Sequence, residues 1–288
     1  MLDCLPFRRS FLTILLVAFF PVNRLPAPEP RVIHDGLIKS RFSDAGVRLM
    51  KDKRAISKDK VAEQLNRTSC AVTLIPTATR RVTGVELVRS CRPGVLIVGG
   101  VYKCGKCEKW HTSTATGFAL SEDGVFATCY HVLKSDNKEA HCVMTEDGKV
   151  YSVTEILAAD EAADVAICRA EGARFVPLSL ASDNLPEGEA VSVISHPVSR
   201  FYTLTEGKVS RYFMLRRTNG KHLPFMEITA DFAKGSSGGP VLDSRGNVVG
   251  MAASTQSIYY DVKDGRKDNL QMVIKQCVPV SAIRALIK

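Results

Sequence analysis

The stretch Gly235-Ser236-Ser237-Gly238-Gly239-Pro240 decides how the rest of the chain is interpreted. It places Ser237 between a small residue and two glycines. Because glycine reaches backbone angles that other residues avoid, such a run can turn sharply, expose the serine oxygen and aim consecutive N–H groups into one cavity. We expect the amides of Gly235 and Ser237 to form this oxyanion hole. Serine and glycine also fill ordinary turns, so the interpretation depends on partners elsewhere in the chain.

Length and charge narrow the function classes. The chain has 288 residues, enough for one large domain or two small ones, and a net charge of +9. Residues 1–110 carry 20 Lys and Arg against 9 Asp and Glu, whereas residues 111–288 carry 19 against 21. The basic excess is interpreted as a solvated leader and linker, and we expect no nucleic-acid partner. A nucleic-acid or membrane-surface adaptor is the rival interpretation of this charge.

Residues 1–22 are typical of a signal peptide or short anchor. Arg8 and Arg9 precede an apolar run, Phe11 to Phe20, which is shorter than the roughly 20 residues that span a bilayer comfortably. The order Arg-Arg-Ser-Phe-Leu also resembles the twin-arginine export signal. We therefore expect an exported protein, periplasmic, secreted or membrane-anchored, through the general secretory or the twin-arginine route. Membrane contact is expected only through this segment, if it stays uncleaved.

Residues 23–84 are interpreted as a Pro-rich linker followed by a basic, partly helical segment. Val61, Ala62 and Leu65 fall on one side of a predicted short helix, Lys58 to Arg67. A solvated helix packed on the main domain and a regulatory or membrane-surface element are both compatible with this pattern.

From residue 85 onwards the sequence indicates an all-β domain, residues 85–288. Short apolar runs alternate with turn sequences such as Glu122-Asp123-Gly124, which favours a barrel or sandwich over a parallel sheet with crossover helices. A closing helix is predicted at Val280 to Lys288. The predicted strands are Val95 to Val101, Thr116 to Leu120, Gly124 to Leu133, Val150 to Ile156, Val165 to Cys168, Ala190 to Ile194, Tyr202 to Val209, Phe225 to Thr229, Pro240 to Leu242 and Val248 to Ala252.

Two residues are candidate partners for Ser237. None of the six histidines follows Ser237, so the base must precede it in the chain. His131 ends an apolar run, VFATCYHVL, where a histidine is costly to bury without a partner. Asp164 lies 33 residues later, in ADVAI. An imidazole that takes the serine proton, and a buried carboxylate that holds the imidazole in the right tautomer, are what nucleophilic catalysis by serine requires.

Three blocks carry a family resemblance: TGFALSEDGVFATCYHVL, ADVAI and GSSGGPVLDSRGNVVGM. In this order they resemble the His, Asp and Ser blocks of trypsin-like serine peptidases, most closely the bacterial Deg/HtrA-like branch. The resemblance covers roughly residues 85–288. It implies two six-stranded antiparallel β-barrels with His131 as general base, Asp164 as its orienting acid and Ser237 as nucleophile. The implied function is a serine endopeptidase that hydrolyses protein or peptide bonds through an acyl-enzyme, without a cofactor.

Two departures from the family pattern qualify this resemblance. Cys129 replaces the usual asparagine of the histidine block, which affects fine geometry. Only 36 residues follow Ala252, so no PDZ domain is expected. The alternative is a catalytically latent or degenerate peptidase-fold protein that binds extended peptides without cutting them.

Specificity residues are suggested by position. Asp231 lies six residues before Ser237, where trypsins carry the acid that binds Lys or Arg, although it also fits a structural turn. Ala252, Ala253 and Ser254 are expected to form the edge along which substrate backbone pairs. His196 is a further candidate for lining the cleft, with a simple loop histidine as the alternative.

The chain has nine cysteines, and one group stands out. Cys104, Cys107 and His111 have the spacing of metal ligands, and zinc would need a fourth ligand, for which Cys142 and His141 are candidates. A local disulfide or redox-labile pair is the alternative, and both stay open. Cys129 and Cys168 are interpreted as small core residues.

Overall fold

The computed structural model describes residues 31–134, 138–217 and 220–288. The predicted signal peptide and the start of the Pro-rich linker lie outside these ranges. Within them, no helix has the length and apolar character needed to cross a membrane. Residues 34–288 form one compact unit, so residues 34–84 pack with the residues that follow them.

The described residues form short helices around two antiparallel sheets. The helices are α1 Asp35–Lys51, α2 Lys58–Gln64, α3 Gly84–Cys91, α4 Tyr130–Leu133 and α5 Val280–Arg284. The strands are β1 Val95–Lys103, β2 Trp110–Ala119, β3 Val125–Thr128, β4 Lys138–Met144, β5 Val150–Ser152, β6 Glu155–Asp160, β7 Val165–Arg169, β8 Ala190–Ser195, β9 Thr203–Arg216, β10 His222–Ile228, β11 Pro240–Leu242, β12 Val248–Lys263 and β13 Arg266–Pro279.

The first sheet has the order β5-β4-β1-β2-β3-β7-β6. Its two edge strands are consecutive in the chain. Val153 N–H still bonds to His141 O on β4, whereas Thr154 N–H bonds to Arg169 O on β7. One bent stretch of chain therefore supplies both edges and curls the sheet. The predicted single strand Val150 to Ile156 is divided by this bend, so the sheet has seven strands and not six.

The second sheet is a closed barrel with the order β10-β13-β12-β11-β8-β9. The two sheets together confirm the predicted all-β, chymotrypsin-like architecture. Closure pairs each of these six strands on both sides, which is how all-β proteins avoid aggregation through strand edges. The outer parts of β12 and β13 extend beyond the barrel as a long exposed hairpin.

The N-terminal segment packs along the first sheet and reaches the second barrel. Helix α1 contacts β1, β2, β4 and β5 and buries Phe42 completely. Helix α2 begins at the predicted residue and packs on β6 and β4, which agrees with the packed-helix interpretation. Further along the chain, Cys70 forms a parallel β-bridge with Ile287 near the C-terminus, and Val82 N–H donates a hydrogen bond to Ser244 O.

One predicted strand was too long, and three elements were not predicted. The stretch Gly124 to Leu133 is a strand only to Thr128, because the chain then turns into α4. The strands β4 and β13 were missed; the first half of β13, Arg266 to Met272, is exposed and mostly polar, so it gives a weak strand signal. Helix α1 was missed although Ile38, Phe42, Ala45 and Leu49 have helical spacing.

Candidate active site

His131 and Asp164 form a tightly paired unit on the first sheet. Helix α4 carries His131, and the loop between β6 and β7 carries Asp164. Asp164 Oδ1 and Oδ2 lie 3.0 and 2.9 Å from His131 Nδ1, and Oδ1 also accepts a hydrogen bond from His131 N–H at 3.0 Å. Because a carboxylate accepts only, Nδ1 carries the ring proton and Nε2 is left as a base.

Burial differs sharply between these two side chains. Asp164 is 10% exposed, whereas His131 is 51% exposed. A buried carboxylate without partners would be costly, and the two N–H donors of His131 satisfy it. Asp164 has a φ of +61°, a left-handed conformation that Asp adopts more readily than most residues. The loop therefore delivers a desolvated acceptor to an imidazole that stays open to solvent.

Glycine is required at two positions of the segment that carries Ser237. Gly235 and Gly238 have φ values of +98° and +87°. A Cβ on Gly235 would lie 2.5 Å from His196 O, and one on Gly238 would lie 2.0 Å from Thr116 O. Both the backbone conformation and the space thus exclude a side chain, as the sequence pattern indicated.

Thr116 fixes this segment to the first sheet. Its N–H donates to Ser237 O at 2.9 Å, and its Oγ1 donates to Gly235 O at 2.8 Å. Within the described residues, neither Gly235 N–H nor Ser237 N–H has an acceptor. Thr116 thereby fixes the carbonyls of Gly235 and Ser237, while the N–H groups of the same two residues stay without an acceptor in the described part of the chain. An oxyanion hole needs such free N–H groups. Thr116 opens the block TGFALSEDGVFATCYHVL, but its contacts with Gly235 and Ser237 were not predicted, because Thr116 and Gly235 lie 119 residues apart in the sequence.

The hydroxyl of Ser237 is engaged away from the imidazole. Ser237 Oγ donates to Ala253 O at 3.2 Å. Across the part of the chain that the structure describes, Ser237 and His131 make no hydrogen bond to each other. Of the three predicted residues, His131 and Asp164 thus form a hydrogen-bonded pair, whereas Ser237 donates its hydroxyl elsewhere. In unliganded sites such bonds are often long or misaligned and tighten only with substrate.

A strained loop, residues 196–202, braces the back of Gly235. Val198 N–H donates to Lys234 O at 2.7 Å. Val198, Ser199 and Tyr202 all have positive φ, between 50° and 60°. For a β-branched residue such as valine this is a genuine outlier, and strain of this kind persists only where surrounding contacts enforce it.

His196 is a buried support of this loop and does not line the cleft. Its Nδ1 accepts a hydrogen bond from Tyr202 N–H at 3.0 Å, and its ring packs against Phe201 and Tyr202. Complete burial lowers its pKa to about 3. Phe201 N–H donates to Asp35 Oδ1 at 2.9 Å, so helix α1 also holds the loop. Neither contact was predicted, because they join segments far apart in the sequence.

The four predicted substrate-binding residues have different surroundings. Asp231 is 84% exposed and pairs with Lys275 at 3.1 Å, which neutralises its charge and weakens the hypothesis of a pocket for basic residues. Ala252 N–H and O already bond to Gly239 O and Gly238 N–H, so Ala252 cannot pair with a substrate without losing both bonds. Ala253 and Ser254 lie at a bulge between β12 and β13, and their role as a substrate-pairing edge stays a prediction.

The structure brings Cys104, Cys107 and His111 together at the β1–β2 turn. Cys104 Sγ lies 3.5 Å from Cys107 Sγ, which lies 3.1 Å from His111 Nε2. Hydrogen bonds from the backbone, led by that of Lys106, lower the pKa of Cys104. The suggested fourth ligands, Cys142 and His141, lie on β4 opposite Gly99 and Gly100 and do not join this cluster.

Five of the remaining described cysteines are buried, and Cys70 is half-buried. None of the eight cysteines in the described ranges forms a disulfide, and Cys129, Cys142, Cys168 and Cys277 are fully buried. Burial raises the pKa of each of these four thiols. Cys129 Sγ donates to Ala252 O at 3.3 Å, behind the His131–Asp164 pair. A protonated, buried thiol is a poor nucleophile, so the cysteine beside the site plays a packing role.

Part of the chain is similar to a known family and to curated proteins. A family model described as the trypsin-like peptidase domain matches residues 115–251. The serine protease HTRA1 of Xenopus laevis is 33% identical over 148 residues, covering 48% of this chain and 31% of that protein. A probable periplasmic serine endoprotease, DegP-like, of Halomonas elongata is 30% identical over 142 residues, covering 48% and 29%. The anti-sigma-I factor RsgI9 of Acetivibrio thermocellus is 34% identical over 143 residues, covering 49% and 19%.

Solved structures show the same fold. An HtrA-type protease with a decapeptide superposes with a TM-score of 0.56 and 18% identity, over 69% of this chain and 64% of that one. The HtrA-type protease AlgW with tripeptide gives a TM-score of 0.53 and 19% identity, over 69% and 60%. The chain spans about a third or less of the length of the curated relatives it matches.

Proposed function

Since this chain carries a trypsin-like serine peptidase domain of the Deg/HtrA-like kind, we propose that it hydrolyses peptide bonds in protein or peptide substrates with His131, Asp164 and Ser237. The observation that carries the proposal is the bond from His131 Nδ1 to the buried Asp164 carboxylate. This bond fixes the tautomer in which Nε2 is free to accept the serine proton.

The proposed reaction begins with rotation of the Ser237 hydroxyl from Ala253 O towards His131 Nε2. Nε2 takes the proton as Oγ attacks the scissile carbonyl, and Asp164 stabilises the resulting imidazolium. The free amides of Gly235 and Ser237 bind the negative oxygen that develops on the carbonyl. His131 then returns the proton to the leaving amine. Water, activated by the same imidazole, hydrolyses the acyl-enzyme and restores the serine.

The substrate in this proposal is an extended chain. It pairs with β12 at Ala253, which is buried, and Ser254, which is exposed, at the register shift between β12 and β13. Solved structures of HtrA-type proteases contain a decapeptide or a tripeptide, which is compatible with such a substrate. We do not extend the proposal to basic side chains, because Lys275 already neutralises Asp231.

A second candidate function rests on the orientation of the serine. Ser237 Oγ bonds to Ala253 O and not to His131. A protein held in this state would bind extended peptides without cutting them. This latent form differs from the active one by a rotation of one side chain, which substrate or a partner must then induce.

Hydrolysis of an unfolded protein separates the two candidates. The full exported chain is incubated with reduced, alkylated casein, and new peptides are counted by mass spectrometry. The wild type is expected to cleave, and Ser237→Ala is expected to lose about 10⁴-fold or more of the rate. The matched control is Ser210→Ala, an exposed serine on β9, which should cleave like the wild type.

Two results contradict the proposed activity. Equal cleavage by the wild type and Ser237→Ala would assign it to another group or to a contaminant. Absence of cleavage by folded wild-type protein that binds casein saturably would favour the latent candidate.

Export is part of the proposal. Relatives described as periplasmic and the apolar run from Phe11 to Phe20 support it. Fractionation of cells that express the full chain, with N-terminal sequencing of the exported product, tests it. A full-length product that stays in the cytoplasm would contradict export, and the same product in the membrane fraction would indicate an uncleaved anchor.

A further inference from the structure

The turn between β1 and β2 gathers three metal-binding side chains that catalysis does not use. Strand β1 ends at Lys103, which pairs with Trp110 at the start of β2. Cys104 follows β1 directly, Cys107 lies within the turn, and His111 is the second residue of β2. The left-handed Gly105, with a φ of +71°, lets the turn fold back so that the two cysteines face one centre.

The spacing of the donor atoms fits a tetrahedral metal site. Cys104 Sγ and Cys107 Sγ are 3.5 Å apart, Cys107 Sγ and His111 Nε2 are 3.1 Å apart, and all three donors lie within 4.8 Å of one another. Zn–S and Zn–N bonds of about 2.3 and 2.1 Å put tetrahedral neighbours roughly 3.8 Å apart for two sulfurs and roughly 3.6 Å for sulfur and nitrogen. The two shorter separations therefore lie within about half an ångström of those in a coordination sphere, and the separation between Cys104 Sγ and His111 Nε2, within 4.8 Å, would shorten by at most about 1.2 Å.

Packing does not account for these residues. Cys104 is half-buried and Cys107 is exposed, unlike the five buried cysteines. The His111 ring stacks on Tyr102 with a centroid separation of 5.6 Å, which orients the imidazole. Lys103 is held by the carbonyl of Glu108 and lies over the Trp110 ring. The turn is thus an ordered structure with its donors pointing at one another near solvent.

We propose that Cys104, Cys107 and His111 bind a divalent transition metal of the zinc class, with the fourth position open to water or an external donor. Binding converts both thiols to thiolates and releases two protons, so two thiolates balance the charge of the cation. A disulfide between the cysteines needs an oxidant and gives His111 no role, whereas the metal uses all three donors. The site is separate from the proposed catalytic residues and stands whether or not the chain is a peptidase.

The metal would brace the strand that supports Ser237. His111 and Thr116 lie on the same strand β2, and Thr116 holds both Gly235 O and Ser237 O. Thr114 Oγ1, between them, lies 3.2 Å from Ser199 Oγ in the strained loop. Fixing the end of β2 thus stabilises the strand from which these contacts are made. This role is structural, because the cluster supplies no group to the reaction.

Cobalt(II) is the probe for the test, since it replaces zinc at such sites and reports thiolate coordination by its absorption. The reduced full chain is titrated without oxygen. We expect saturation at one equivalent, a thiolate-to-cobalt charge-transfer band and intense visible bands typical of tetrahedral coordination. Zinc should then displace cobalt, and both the charge-transfer band and the visible bands should disappear. The same zinc addition should raise the melting temperature of the reduced protein.

Variants identify the ligands. Cys104→Ser and Cys107→Ser should each lose about half of the charge-transfer intensity and bind more weakly, because one of two thiolates is removed. His111→Ala should keep the charge-transfer band and lose the tetrahedral visible pattern. Cys70→Ser and His222→Ala, outside the cluster, are the matched controls and should titrate like the wild type. Circular dichroism confirms that each variant is folded.

The proposal is overturned by either of two results. One is the absence of a charge-transfer band in the reduced, folded wild type. The other is cobalt binding that Cys104→Ser, Cys107→Ser and His111→Ala all leave unchanged, and that Cys70→Ser or His222→Ala abolishes. Neither result depends on peptidase activity, so this test and that of the proposed function fail independently.

Discussion

The two halves of the candidate site are built in different ways. On the first sheet, His131 and Asp164 meet through three close contacts, and the carboxylate is buried. On the second barrel, Ser237 depends on left-handed glycines and on a loop with three non-glycine residues at positive φ. Hydrogen bonds between His131 and Asp164 hold the base side of the site. The nucleophile side, which carries Ser237, is held by contacts from other segments of the chain.

This difference indicates where the site is sensitive to distant changes. Strained conformations cost about 1–3 kcal/mol each and persist only while surrounding contacts enforce them. Three contacts do so here: Thr116 on β2, Val198 bonded to Lys234, and Asp35 bonded to Phe201. We therefore expect substitutions near His131 to act directly on chemistry, and substitutions around the loop to act by displacing the oxyanion hole.

Asp164→Asn tests the base side and should have the largest effect. Asparagine keeps the shape and tolerates the left-handed backbone, but its amide offers His131 Nδ1 the wrong partner and so favours the wrong tautomer. We expect the turnover number to fall about 10⁴-fold with little change in stability. Casein cleavage and thermal melting measure the two. A loss below tenfold would show that Asp164 does not orient the base; Glu161→Gln, in the same loop, is the control.

Gly235→Ala tests the nucleophile side. The added Cβ would lie 2.5 Å from His196 O, so the Gly235 amide must move, and loss of one oxyanion donor costs about 10²–10³-fold in turnover. Gly265→Ala is the matched control, because Gly265 also has positive φ and a Cβ added there would meet none of the described atoms within 4 Å. Equal activity of the two variants would contradict the proposed oxyanion hole.

Acidification should weaken the nucleophile side through His196. Burial lowers the pKa of His196 from 6.5 to about 3. Between these pH values, His196 is protonated in the unfolded chain and neutral in the folded protein. The contribution of neutral His196 to the free energy of unfolding is complete above pH 6.5 and is lost as the pH falls towards 3. The free energy of unfolding should fall by at most about 1.4 kcal/mol per pH unit through this group. Burial also lowers the pKa of His141 to about 3, so this residue should add a similar pH dependence to the free energy of unfolding.

Urea unfolding across this pH range measures the effect. His196→Asn keeps an acceptor for Tyr202 N–H but does not titrate, so its stability should fall less steeply with acid than that of the wild type. The exposed His222→Asn should retain the wild-type slope. Identical slopes for the wild type and His196→Asn would contradict a neutral, buried His196.

Asp35→Ala should have the smallest effect and tests the link to helix α1. It removes the acceptor for Phe201 N–H, and one such bond to a charged group is worth about 1.5–3 kcal/mol at most. Because only part of that loss reaches the oxyanion hole, we expect kcat/KM to fall up to about tenfold. Asp44→Ala, on the same helix and bonded to Ser40 within that helix, is the control. No difference between the two would show that α1 does not support the loop.

The sequence predicted the parts of the site that local motifs specify. GSSGGP requires glycine at left-handed positions, and residues 235 and 238 have them. The order of His131, Asp164 and Ser237 led to the right fold, and His131 and Asp164 are indeed paired. These signals were readable because each depends on a few adjacent residues or on the order of blocks along the chain.

The parts that were missed depend on contacts between distant segments. Thr116 clamps Gly235 across 119 residues, and Asp35 reaches Phe201 across 166. Asp231 has the right spacing for a specificity residue, yet Lys275 on β13 neutralises it. A single sequence carries no record of which of its side chains meet, so these contacts needed the structure.

Covalent labelling of Ser237 tests the central claim most directly. The full exported chain is treated with a fluorophosphonate, which reacts with a serine only where a base and an oxyanion hole are assembled around it, and its intact mass is measured. We predict one adduct per wild-type chain and none in Ser237→Ala. An adduct that persists in Ser237→Ala, or its absence from the folded wild type, would contradict the account.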